Sequence, residues 1–137
     1  MARILLIDDD PSIGELFSYA FKNSGIDTIL AMDGQSGLNK AKTETVDLIL
    51  LDEVLPDIPG NEILKTLKLD NKTQHIPVII LSNFSQEELV KEAIDNGALD
   101  YIFKYQIEPE DLVNRIKVVL GTPKETPTTP PQQQQPS

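Results

Sequence analysis

Cysteine is absent from this chain, so neither a disulfide framework nor a thiolate metal site can be built from it. Long apolar runs are missing too. Ahead of the first aspartate stand Arg3 and the four apolar residues Ile4, Leu5, Leu6 and Ile7, far short of the ~20 residues of a membrane-spanning helix and too few for the core of a signal peptide. A cytoplasmic protein is therefore expected. Basic residues are scarce: 12 Lys and Arg face 22 Asp and Glu, giving a net charge of −10. They are scattered and form no run. Affinity for phosphate backbones comes mainly from clustered Lys and Arg, so neither direct nucleic-acid binding nor docking on an anionic membrane is expected.

What the chain does hold falls into two parts. From Gly121 onward, GTPKETPTTPPQQQQPS contains five of the ten prolines, four glutamines and no aromatic or aliphatic residue. Such a segment cannot bury enough apolar surface to offset its ordering entropy, so residues 121–137 are expected to form a disordered tail behind a single domain, residues 1–120. In that domain short apolar runs alternate with helical periodicity. Strands are expected over 3–7, 26–31, 46–52, 76–82 and 99–104; the runs at 3–7, 46–52 and 76–82 are almost continuously apolar, as strands covered on both faces are. Asp10-Pro11 reads as an N-cap and first-turn proline ahead of the stripe Ile13, Leu16, Phe17, Ala20 and Phe21. Ser85-Gln86-Glu87-Glu88 reads as a capping box before Leu89, Val90, Ala93 and Ile94. Pro109 opens the last helix, with Leu112, Val113, Ile116, Val119 and Leu120 as its buried face. Gly25, Gly97 and Gly121 fall where helices stop. Five strands alternating with five helices predict an α/β fold with a doubly wound, five-stranded parallel sheet.

In such sheets ligands bind beyond the carboxyl ends of the strands. The first strand ends in Asp8-Asp9-Asp10, the third in Asp52-Glu53, the fourth in Ser82-Asn83 and the fifth in Lys104. Asp10 has a capping role worth about 1 kcal/mol. If Asp8 and Asp9 only decorated a helix N-terminus, the gain would be some 0.3–1 kcal/mol, and the presence of Asp52 and Lys104 at the same rim would go unexplained. Gathering Asp8, Asp9 and Asp52 within a few ångströms costs about 4 kcal/mol per pair at an effective dielectric of 20. A hard divalent cation offsets that cost, and Mg2+ suits a shallow acid cluster that leaves room for waters and a phosphate oxygen. A carboxylate beside Mg2+, with a hydroxyl and a lysine to hold the transferred oxygens, suits formation of an aspartyl phosphate. Asp52 holds the central position; strand alternation turns Glu53 away. Asp57 is expected to face solvent on a loop stiffened by Pro56 and Pro59. His75, the one histidine, lies in the polar stretch NKTQHIP away from this rim and is expected to be solvated.

These residues resemble the receiver domain of two-component response regulators. The match runs over residues 2–120 and rests on ILLIDDDP, on LLDEVLPDIPG with Pro56 four and Gly60 eight residues after Asp52, on ILS and on GALDYIFK. The resemblance implies the flavodoxin-like strand order 2-1-3-4-5. It makes Asp52 the phosphoacceptor, with Mg2+ (replaceable by Mn2+ or Ca2+) held by Asp9, Asp52 and the backbone carbonyl of Val54, and by Asp8 through a water. Ser82 and Lys104 would hold phosphoryl oxygens, and Ser82 and Tyr101 would act as the switch. Two positions depart from the family's habit: Tyr105 stands where proline usually follows the lysine, and Asn83 where a small residue usually follows the hydroxyl.

The expectation is thus a stand-alone receiver that takes its phosphoryl group from a sensor histidine kinase or histidine phosphotransfer protein. It would catalyse its own phosphorylation and dephosphorylation and signal by conformational change to a protein partner through the helix 4, strand 5, helix 5 face, as a monomer or a phosphorylation-dependent dimer. The alternative is a phosphorylation-inactive receiver-like adaptor or dimerisation module, which Tyr105 and Asn83 motivate. An aspartate-nucleophile phosphatase fits less well, since position 54 is Val where that chemistry usually wants a second acid.

Overall fold

The computed structural model describes residues 2–84 and 86–121; Gly121, expected to start the tail, ends the last helix, and residues 122–137 lie outside the described residues. Five strands and five helices alternate: β1 (Arg3–Ile7), α1 (Pro11–Asn23), β2 (Asp27–Ala31), α2 (Gly34–Thr43), β3 (Leu48–Asp52), α3 (Gly60–Leu69), β4 (Val78–Ser82), α4 (Glu87–Asp95), β5 (Asp100–Phe103) and α5 (Pro109–Gly121). All pairings are parallel and the strand order is 2-1-3-4-5, as expected. The near-continuous apolar runs are the interior strands: every residue of β3 and β4, and all of β1 after Arg3, is buried. The edge strands β2 and β5 are partly exposed.

Strand alternation divides the core in two. Leu5, Ile7, Ile49, Leu51, Val78 and Ile80 face α2, α3 and α4, whose Ala41, Ile63, Leu64, Leu67 and Ala93 cover them. On the other face Ile4, Leu6, Leu48, Leu50, Ile79 and Leu81 pack against Ile13, Phe17 and Phe21 of α1 and Leu112, Val113 and Ile116 of α5. Alternate residues of one strand therefore serve opposite layers, and this sends neighbouring side chains at a strand end to different places.

Several sequence-based boundaries shift. The strands begin one or two residues later than expected at β2, β3, β4 and β5, because Ile26, Val46 and Ile76 are buried in the approaching loops rather than within the strands. Leu99, also ahead of its strand, is exposed, and Lys104 lies just beyond β5. Asp10 caps α1 as expected, its carboxylate accepting from the Ser12 N–H at 2.9 Å. The expected stripe of α1 is narrower, with Leu16 49% exposed. The expected capping box does not open α4: Ser85 lies outside the described residues, and the helix starts one residue late, behind Gln86, with no side-chain cap bond. Of its four stripe residues only Ala93 is buried and Ile94 is 45% exposed, so the α4 face is the thinnest cover on the sheet. Gly25 and Gly97 take positive φ after α1 and α4, as helix stops do.

Gly60 is fixed by crowding. Its N–H donates to the Glu53 carbonyl at 2.9 Å, and a Cβ here would sit against the Asp52 carbonyl and 2.9 Å from the Glu53 Cα. Backbone cannot give way as a flexible side chain can, so Gly60→Ala should cost about 2 kcal/mol in urea unfolding, whereas Gly121→Ala, with open space around it, should stay within about 0.5 kcal/mol. Equal effects would contradict the close approach.

Candidate functional site

The carboxyl ends of β1, β3, β4 and β5 meet at one rim. Lys104 lies at its centre: Nζ is 2.9 Å from Asp8 Oδ2 and 3.2 Å from Asp52 Oδ2, with all three side chains almost fully buried. The lysine is placed by β5, whose last turn is tied to β4 by the Lys104 N–H donating to the Ser82 carbonyl at 2.8 Å. Asp8 is oriented from its other oxygen, which accepts from the Asp10 N–H at 2.9 Å. Asp52 Oδ1 is 3.5 Å from the Val54 N–H, a weak contact that leaves this oxygen largely open. One oxygen each from Asp8, Asp9 and Asp52 lies within 4.8 Å of the other two.

One cation beside three acids leaves an uncompensated negative charge. Burial above all, and then the charge of Asp8, push the Asp52 carboxyl up to about 6, with Lys104 pulling the other way. Burial disfavours the Lys104 ammonium, but the Asp8 carboxylate 2.9 Å away and the charge of Asp52 prevail, and its pKa rises. The residues present fit a hard divalent cation. They offer oxygen ligands, an open face at exposed Asp9, and a buried oxygen, Asp8 Oδ2, that is charge-paired with Lys104 at an angle too poor for a hydrogen bond.

Ser82 is fully buried at the end of β4, and its Oγ accepts from the Phe84 N–H at 2.9 Å. Tyr101 sits on the same face of the sheet, and its phenol donates to the Phe84 carbonyl at 3.2 Å while its ring packs edge-on to Phe103. Ser82 and Tyr101 thus grip the same residue of the β4–α4 loop from two sides. Val54 is exposed on the β3–α3 loop.

The other acids separate. Glu53 turns from the cluster toward α4, where burial and the nearby Glu92 charge raise its pKa and Oε1 is buried without a hydrogen bond. Asp57 is exposed, as expected, but it is also bonded. Its carboxylate accepts from the Gly34, Gln35 and Ile58 N–H groups at 2.7, 2.9 and 2.9 Å, which holds its pKa low and latches the β3–α3 loop to the start of α2. Twenty-three residues separate Asp57 from Gly34, so no local pattern announces the link. Tyr105, despite replacing the habitual proline, leaves Lys104 in reach of both acids; its phenol donates to Asp10 Oδ2 at 3.2 Å. His75 is exposed, as expected.

The chain belongs to the response regulator receiver domain family, whose model matches residues 4–117. RpaA of Synechocystis, a DNA-binding dual master transcriptional regulator, is 37% identical over 88% of this chain and 49% of its own length. PhoB of Escherichia coli, the phosphate regulon transcriptional regulatory protein, is 36% identical over 86% of this chain and 51% of its own. The chain spans about half the length of these curated relatives. A CheY-like response regulator receiver domain protein from Methanospirillum hungatei has the same fold, with a TM-score of 0.82 and 29% identity over 88% of this chain and 94% of its own.

The excess charge makes a prediction with a sign. The folded Asp52 carboxyl is pushed up to about 6 from the 3.8 of an ordinary aspartate, so folding takes up a proton between these values. The wild-type penalty is complete above pH 6 and gone below about pH 4. Without metal, Asp52→Asn should stabilise the protein by about 1 kcal/mol at pH 7, solvent at the open rim screening part of the repulsion. The gain should fade as pH drops through that window. Millimolar Mg2+ should raise the wild-type melting temperature more than that of Asp52→Asn. An asparagine variant less stable at pH 7, or equal Mg2+ responses, would contradict this electrostatic account.

Proposed function

We propose that Asp52 accepts a phosphoryl group from a phosphohistidine on a sensor histidine kinase or histidine phosphotransfer protein. The observation that carries this reading is the Lys104 ammonium bridging buried Asp8 and Asp52 while Asp9 completes the acid cluster. Asp9, Asp52 and the Val54 carbonyl would ligate Mg2+, with Asp8 acting through a water; Mn2+ or Ca2+ could take the same oxygens. Bound there, the cation would neutralise phosphoryl oxygens and screen the acids from one another.

In the transfer, an Asp52 oxygen bonds to phosphorus as the P–N bond to the donor imidazole breaks. The electron pair leaves on nitrogen, which takes a proton. Lys104, already at the Asp52 carboxylate, pairs with a phosphoryl oxygen. The Ser82 hydroxyl accepts from the Phe84 N–H, and so keeps its own proton to donate to another. Drawing Ser82 toward the new charge disturbs its bond to Phe84, and the Tyr101 phenol is bonded to the same residue. That shared residue supports a route from Asp52 to the surface of α4, β5 and α5, where Ile94, Leu99 and Val118 are exposed. In hydrolysis, water attacks phosphorus and the P–O bond to Asp52 breaks, releasing inorganic phosphate.

The exposed apolar residues and the net charge of −10 favour output from this part of the chain by protein contact, not by direct contact with nucleic acid. Among the described residues no helix is long and apolar enough to cross a membrane, in keeping with a cytoplasmic setting. The inactive-adaptor reading loses ground because Lys104 reaches both acids in spite of Tyr105. Incubation with Mg2+ and acetyl phosphate should add the mass of one phosphoryl group to the intact protein, and Asp52→Ala should abolish the addition. No addition to the wild type, or addition that survives the substitution, would overturn the assignment.

A further inference from the structure

Lys104 and Tyr105 leave the end of β5 in succession and reach the same β1–α1 loop at different heights. Lys104 meets Asp8 at the floor of the site, and the Tyr105 hydroxyl meets Asp10 Oδ2 at the rim, 3.2 Å away. Asp10 is fixed for this contact, because its Oδ1 is held by the Ser12 N–H at the start of α1 and its other oxygen is left to Tyr105. The tyrosine side supplies little packing of its own. Tyr105 is 66% exposed, so the hydrogen bond rather than burial determines where the phenol lies. A proline at this position could make no such bond.

We propose that Tyr105 and Asp10 form a strap across the mouth of the Asp52 site, and that Tyr105 is a gating residue setting how fast phosphodonor and water reach the acceptor carboxylate. The inference rests on the reading of Asp52 as phosphoacceptor. It differs from a structural role in that both directions of the chemistry share one entrance. Opening the strap therefore speeds phosphorylation and hydrolysis together, whereas loss of a group that contacts the phosphoryl oxygens slows the transfer.

Two substitutions open the strap by different routes. Tyr105→Phe keeps the ring and deletes the hydroxyl; Asp10→Ser keeps an N-cap for α1 but is too short to meet the phenol. With acetyl phosphate and Mg2+, each should raise the phosphorylation rate and the subsequent hydrolysis rate of the Asp52 phosphate about three- to tenfold. The double variant should gain no more than the better single one, since either change opens the same strap. In metal-free protein, Asp10→Ser should shift the ring resonances of Tyr105. Should Asp10→Ser fold poorly, Tyr105→Phe, altered only in an exposed hydroxyl, carries the rate test alone.

The outcomes separate. Phosphorylation at Asp52 with single-variant rates within twofold of wild type, multiplicative gains in the double variant, or unmoved Tyr105 resonances would overturn the strap and leave the phosphoacceptor reading standing. No uptake by any of them would overturn both.

Discussion

One ammonium between two buried carboxylates organises the carboxyl-terminal rim of this sheet. Lys104 reduces the repulsion between Asp8 and Asp52 but cannot cancel it, because Asp9 brings a third charge within 4.8 Å. Burial first, and the Asp8 charge after it, push the Asp52 carboxyl to about 6 in spite of the lysine. A core of this kind would be more stable with apolar residues at these positions. The acids could hold a cation between them, and under the proposed function phosphoryl oxygens would then meet the lysine.

The doubly wound sheet makes that cluster possible and separates it from its readout. Parallel strands deliver their carboxyl ends to the same edge, and alternation sends consecutive residues to opposite layers. Asp52 stays with Asp8 and Lys104 while Glu53 turns to α4; Ser82 ends β4 on the face that Tyr101 shares. Asp52's rim and the aromatic Tyr101 thus meet at the short β4–α4 loop, where both Ser82 and Tyr101 hold Phe84. Behind that loop lies α4, with a single buried residue. The element nearest the proposed switch is also the one least anchored in the core, so a small rearrangement at Phe84 meets little resistance there.

Much of this was legible in the sequence because it rests on local patterns. Runs such as LILLD and VIILS could only be interior strands, and acids at their ends had to meet across the rim. Asp10-Pro11 announced its helix correctly. What escaped the sequence was contact made by tertiary placement. Asp57 looked like a loop acid with water for company, and only folding brings the first turn of α2 beneath its carboxylate. Tyr105 was visible as an unusual residue, but its partner lies 95 positions away on Asp10. Ile26, Val46 and Ile76 extended the expected strands because burial alone does not distinguish a strand from the loop that feeds it. The expected capping box failed for a related reason: a one-residue shift in where α4 begins moves every capping position with it.

The central claim is that Asp52, flanked by Lys104 and Ser82, is the atom-bearing acceptor of a cation-assisted site. A crystal structure of the protein with Mg2+ and beryllofluoride, a mimic of the phosphoryl group, tests it most directly. The account predicts beryllium bonded to an Asp52 carboxylate oxygen, fluorides contacted by Lys104 Nζ and Ser82 Oγ, and the metal on Asp9, Asp52 and the Val54 carbonyl. Beryllium on another side chain, or a metal bound away from these three ligands, would contradict it.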